Sequence, residues 1–223
     1  MVKYNIYIIC KTEEDFLEKS KYINDKYKNK ICHIQWVPAE YLKLTQCNKK
    51  LLKDLNTRWN TDGKKILSKL GTIAAHRKAL LAIYMNKTDN NIILEADAEL
   101  SSILPKPPEK SCYLGGWIIP PQISKAGDKI NITPKKGMNN ILYDKFSVLM
   151  AHAYFIKTFE EAMILFQTTI TEKIKNYDVH LIDIQFFNYY YYPPIFVQGK
   201  HVSEIDQVVN KNDLRTHLYG LKM

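Results

Sequence analysis

After the turn-forming pair Asp89-Asn90, the chain enters an apolar run at Ile92-Ile93-Leu94 and then turns abruptly acidic at Glu95, Asp97 and Glu99. A strand with one wet face alternates apolar and polar residues. A continuous apolar run is what a strand buried on both faces of a mostly parallel sheet carries. Ligands of such sheets bind outside the carboxyl ends of the strands, where these three carboxylates fall. In an extended chain, residues two apart point to the same side. Glu95 and Asp97 are therefore expected to face one divalent cation, or one cation and a ribose hydroxyl, with Glu99 continuing the row. The plainer alternative is an acidic loop entering solvent.

The flanking sequence supports the same fold class. Asn5 to Cys10 is a β-branched and aromatic run, and Thr12 before Glu13-Glu14-Asp15 reads as the cap of a helix with an acidic first turn. His33 to Val37 is a second strand stopped by Pro38, and residues 42–65 read as helix and loop. Gly71-Thr72 is expected to open a helix that carries Ile73, Ala74, Leu80, Leu81 and Tyr84 on one apolar stripe. Arg77 falls within that stripe, so it is either a buried ion pair or a contact to an anionic ligand. Further strands are expected at 113–119, 153–156 and 195–198, with a helix around 160–168. The 125–137 stretch is expected to be an excursion.

Helices and strands alternate as far as Leu100, and shorter strands follow. The expectation is one α/β domain over 1–223, with a Rossmann-like mixed, mostly parallel sheet flanked by helices. A nucleotide-binding half would occupy 1–100, an acceptor and catalytic half 101–205, and a basic tail 206–223.

At 223 residues, 46% of them hydrophobic, the chain can bury a substantial core. Its formal charge of +9 is compatible with a polyanionic ligand, an acidic surface or simple solubility. The lysines come in scattered pairs, such as Lys49-Lys50 and Lys135-Lys136, and not in one basic patch. Cys10, Cys32, Cys47 and Cys112 form no CxxC pair, so neither a zinc ribbon nor a disulfide framework is indicated. The short apolar start, soon ended by Lys11, suits neither a signal peptide nor a membrane span. A cytoplasmic location is the default expectation.

The segment Gly71-Thr72-Ile73-Ala74-Ala75-His76-Arg77-Lys78-Ala79-Leu80, followed by Ile92-Ile93-Leu94-Glu95-Ala96-Asp97-Ala98, resembles glycosyltransferase family 25, the lipopolysaccharide-biosynthesis family. In that family a glycine and a Ser-His helix precede a Leu-Glu-Asp-Asp-Ala strand end. Further similar segments keep the order: Ala153-Tyr154-Phe155-Ile156, then Asp178 and Asp183, then Pro193 to Gln198 and Ser203-Glu204-Ile205.

The resemblance implies a GT-A fold, a nucleotide-sugar donor (usually a UDP-hexose), a manganese or magnesium ion, and inversion at the anomeric carbon. It also implies a glycan or glycoprotein acceptor. Related domains occur in bacteria and in large DNA viruses that glycosylate their own capsids; a viral origin would place the chain in host cytoplasm. Two positions depart from the pattern. Ala96 stands where the family has its first aspartate, and Ala75 where it has a serine.

Through the resemblance, Asp97 becomes the metal ligand, and His76, Arg77 and Glu95 become donor-site residues. His201, in a loop after a strand end, is a second candidate ligand, since imidazole joins carboxylates around manganese. Lys200 beside it is a candidate diphosphate contact. Trp117 offers a flat apolar face to a sugar ring, and with Tyr154 it is assigned to the acceptor.

An inverting transfer needs a general base. Asp178 and Asp183 are five apart and would not share a helix face, so one of them at most serves. Asp183 is preferred, because its apolar neighbours Leu181, Ile182, Ile184 and Phe186 are expected to bury it partly and raise its pKa. The alternatives are a basic nucleic-acid-binding module with tyrosines stacking on bases, and a degenerate protein that binds a sugar nucleotide without turning it over.

Overall fold

The computed structural model describes residues 3–39, 53, 63–119, 132–170 and 176–199. The first unit is β1 (Tyr4–Cys10), α1 (Glu13–Tyr27) and, after a 3-10 turn, β2 (Ile31–Pro38). Thr12 caps α1 as expected, its hydroxyl accepting from the Asp15 N–H at 3.1 Å. The long helix α2 (Gly63–Asn86) leads into β3 (Asn91–Glu95) and the short β4 (Ala98–Leu100). Then come β5 (Cys112–Tyr113), β6 (Trp117–Ile119), β7 (Gly137–Asn140), β8 (Ser147–Leu149) and β9 (Ala153–Ile156). Helices α3 (Phe159–Thr168) and α4 (Tyr177–Asp183) precede β10 (Tyr189–Tyr192) and β11 (Phe196–Gln198).

Seven strands form the central sheet in the order β2-β1-β3-β9-β5-β10-β7. β1 pairs in parallel with β2 and β3, and β5 with β10, while β9 and β7 run against their neighbours. The sheet is therefore mixed and mostly parallel in strand direction. Two-stranded ribbons β4–β11 and β6–β8 stand apart from it.

Period-two alternation splits the apolar side chains between the two faces. Tyr7, Ile9, Ile93, Tyr154 and Ile156 pack beneath α2, α3 and α4, while Ile6, Ile8, Ile92, Leu94 and Phe155 pack with Ile23 and Tyr27 of α1. β3 is buried along its apolar run, which is why it reads as continuously hydrophobic. Helices on both faces make a three-layer α/β domain. None of the described helices is long and apolar enough to cross a membrane.

Three local expectations are corrected. α2 begins at Gly63, not at Gly71-Thr72, because the Thr72 hydroxyl bonds back to the Ser68 carbonyl within the helix (3.1 Å) and does not cap its start. Its buried stripe is Ile73, His76, Ala79, Leu80 and Ile83, whereas Leu81 and Tyr84 are 40% and 38% exposed. The strand expected over 113–119 is two strands in different sheets. Gly116, at φ +140°, breaks it, in a backbone region other residues rarely adopt.

Candidate active site at the end of strand β3

Glu95 and Asp97 do not share one strand face. β3 stops at Glu95, Ala96 and Asp97 form a turn, and β4 departs to pair with β11. The turn is held from below by Lys19 of α1, whose ammonium donates to the carbonyls of Glu95 (2.9 Å) and Ala96 (2.6 Å). Burial pulls the Lys19 pKa down to about 8, against the fields of Asp97, Cys10, Glu99 and Glu95 that favour its charge. The result of this geometry is that the two carboxylates turn to different partners.

Glu95 turns into the domain. Its Oε1 lies 2.9 Å from Nε2 of His76, whose Nδ1 is 2.9 Å from the Tyr154 hydroxyl, which in turn is 3.0 Å from the Tyr177 hydroxyl. An ionised carboxylate only accepts, so Nε2 donates to Glu95. In the neutral ring, Nδ1 then accepts from Tyr154, and Tyr154 from Tyr177. The imidazole is also stacked on the Tyr177 ring at 4.0 Å and 10°. Burial acts to raise the Glu95 pKa, but the hydrogen bond and field of His76 outweigh it and hold it below the usual value. The Glu95 side chain keeps 27% exposure, so the relay has one wet end.

Asp97 is poised differently. Its Oδ2 accepts from the Gln198 amide at 2.7 Å, and its main-chain carbonyl accepts from the Gly199 N–H at 2.7 Å. Its Oδ1 is buried without a hydrogen-bond partner among the described residues. Burial, reinforced by the negative charge of Glu95, pushes the Asp97 carboxyl up. A buried carboxylate oxygen left bare costs about 1–3 kcal/mol, more when charged, which a cation would offset.

Among the described residues no cluster of three His, Cys, Asp or Glu side chains is arranged to hold a metal by itself. Magnesium-type sites in nucleotide chemistry commonly use only one or two carboxylates, with phosphate oxygens of the substrate completing the shell. The bare Asp97 oxygen fits that requirement.

The other predicted residues are placed as follows. His76 is fully buried (0% exposed) and reaches the site only through Glu95, so it is a support of the donor side and not a donor contact. Arg77, on the next position round α2, lays its guanidinium over Phe166 of α3 at 5.4 Å in a cation–π contact. Tyr154 is fully buried and committed to His76, which leaves it no surface for an acceptor. Trp117 is half-buried after Gly115-Gly116, with its indole N–H buried and without a partner among the described residues.

Asp183 ends α4 exposed, so the expected partial burial is not found: its apolar neighbours turn inward and leave it on the wet side. Asp178, in the first turn of α4 beside Tyr177, is the half-buried one. Burial raises its pKa, the Val179 N–H (2.8 Å) opposes this, and the nearby charge of Glu95 adds to it. Lys200 and His201 lie outside the described residues.

Sequence reasoning missed Lys19, Gln198 and His152. His152 directly precedes β9 at the same sheet end, fully buried, and its main-chain carbonyl accepts from the Glu95 N–H at 2.9 Å. Burial depresses its pKa against the pull of Asp97 and Glu95. A histidine directly before the strand expected at 153–156 was the available signal for it. Lys19 had none, being one of several lysines on α1.

No protein-family model matches this chain, and a search of curated proteins finds no significant relative.

Proposed function

We propose that this chain is a glycosyltransferase of GT-A type that moves a hexose from a nucleotide-diphosphate sugar, a UDP-sugar by first choice, to a hydroxyl of a glycan or glycoprotein. The observation that carries the reading is the bare, buried Asp97 oxygen just beyond the carboxyl end of β3, beside the His76-supported Glu95. The mixed sheet with its site at the strand ends supports the fold assignment. Asp97 would hold a manganese or magnesium ion, and that ion, when bound, would offset charge developing on the departing diphosphate.

In the transfer, the acceptor oxygen bonds to the anomeric carbon while the carbon–oxygen bond to the diphosphate breaks. The hydroxyl proton passes to a carboxylate. Asp178 suits that task better than Asp183, since burial raises its pKa and it lies close enough to Glu95 to feel its charge. The outer Glu95 oxygen, fixed through His76, is set to accept from a donor hydroxyl.

The test is calorimetric titration with UDP, UDP-glucose, UDP-galactose and GDP-mannose, each with manganese and with chelator. Manganese-dependent binding of one of them is expected. Absence of binding to all four, together with salt-sensitive affinity for oligonucleotides, would replace this reading by a nucleic-acid-binding one.

Asp178→Asn is expected to leave donor affinity within about twofold and to lower turnover by roughly 10²–10⁴-fold, the usual contribution of a positioned base. Asp183→Asn should leave both unchanged. In the wild type, turnover should decline as pH falls through the raised Asp178 pKa, because the base must be ionised. Full turnover in the Asp178 variant would return the role to Asp183 or elsewhere.

A further inference from the structure

The transfer outlined above leaves His152 without a task, although its position is among the most constrained in the site. The side chain is fully buried; the Phe196 carbonyl acts on the ring as a hydrogen-bond acceptor, and neither nitrogen has another partner among the described residues. Its backbone is fixed by the bond from the Glu95 N–H (2.9 Å), which ties it to the last residue of β3. Its ring lies over Gly115. A Cβ built there would come within 2.5 Å of Nε2 and 3.2 Å of Cε1, and the same point is 2.5 Å from the Phe196 carbonyl. The ring therefore occupies space that only a glycine leaves.

Two residues beyond Phe196, Gln198 grips one oxygen of Asp97, so β11 links the imidazole's surroundings to the carboxylate. Asp97 Oδ1 is likewise without a partner among the described residues. A neutral imidazole has one nitrogen lone pair to give, and a carboxylate oxygen only accepts. With one ring N–H turned to the Phe196 carbonyl, the other nitrogen keeps its lone pair, and the field of Asp97 reaches the ring, so the two bare acceptors can share one electrophile.

We propose that His152 is a second protein ligand, with Asp97, of the divalent cation, and that this mixed imidazole–carboxylate pair selects manganese over magnesium. The inference rests on the transferase reading and deepens it. Magnesium takes oxygen ligands and keeps its water, whereas first-row transition ions accept imidazole nitrogen. His152 thus supplies what an all-oxygen site lacks, a discrimination between the two ions. Gly115 serves the same end by giving the ring its place.

The experiment uses the full chain with manganese and UDP, read by electron spin-echo envelope modulation and by manganese titration. The wild type should show nitrogen-14 modulation from a coordinated histidine. His152→Gln should remove that modulation and weaken manganese binding by roughly tenfold or more, with magnesium binding nearly unchanged. His201→Gln is the control and should keep the modulation, which also serves if the His152 variant does not fold.

Bound manganese without nitrogen modulation, or modulation that survives in His152→Gln or vanishes in His201→Gln, overturns the role of His152 and leaves the transferase reading standing. A wild-type chain that binds UDP with no response to manganese removes the metal from the reading altogether, and this inference with it.

Discussion

Replacing Asp97 by asparagine is expected to erase the manganese-dependent part of donor binding and to lower turnover by at least about 10²-fold, the scale on which an electrostatic contact to developing charge contributes. Asparagine is the informative substitution because its carbonyl can still accept from Gln198, so the 2.7 Å bond that anchors the turn survives. Only the charge and the bare oxygen are lost. The folded protein should not suffer. Burial and Glu95 raise the Asp97 pKa above its unfolded value, so the native state favours the protonated carboxyl, and stability is lost as pH rises through the folded pKa. At neutral pH the ionised aspartate is therefore a net cost, and the variant in chelator should melt at the wild-type temperature or above it. Adding manganese and UDP at about 100 times their dissociation constant should stabilise the wild type by about 2.7 kcal/mol and the variant hardly at all. Wild-type turnover in Asp97→Asn would remove Asp97 from the metal site.

The parts of this site that could be read in the sequence are those set by local pattern. The continuous apolar run of β3 announces burial on both faces, and Thr12 before three acids announces the start of α1, because each signal is complete within a few residues. What the pattern could not show was which way a side chain turns once the strand stops. Glu95 and Asp97 were expected on one face because an extended chain would put them there. The Lys19 ammonium, 76 residues before Glu95, instead clasps the carbonyls of a turn.

The same limit explains Asp183. Its sequence neighbours are apolar, yet in a short helix they occupy the inward face and leave Asp183 outside, while Asp178 is drawn against the relay by the stacking of Tyr177 on His76. His152 was overlooked because its burial follows from Gly115 and Phe196, one far earlier and one far later in the chain.

His76→Phe should be the most destabilising single substitution at this site, by about 3 kcal/mol, the lower end of the range for removing one partner of a buried ionic or hydrogen-bonded pair. Phenylalanine can keep the 4.0 Å stack on Tyr177, so packing is not the main loss. What is lost is the donor to Glu95 Oε1 and the acceptor for the Tyr154 hydroxyl, each 2.9 Å away in the native protein. The 27% exposure of the Glu95 side chain lets water recover part of the penalty, which is why the lower end applies.

The pH dependence separates this cause from a packing defect. In the wild type the Glu95 pKa is depressed, so its contribution is present above the unfolded value near 4.5 and is lost as pH falls through the folded pKa. In the variant burial acts on Glu95 unopposed and favours the neutral acid, so the penalty fades on acidification. Urea unfolding from pH 7 down to pH 4 should show the difference between the two proteins narrowing, and Glu95→Gln combined with His76→Phe should cost much less than the two single changes added together. A gap that stays constant with pH, or strict additivity, would mean that His76 holds the site by shape alone.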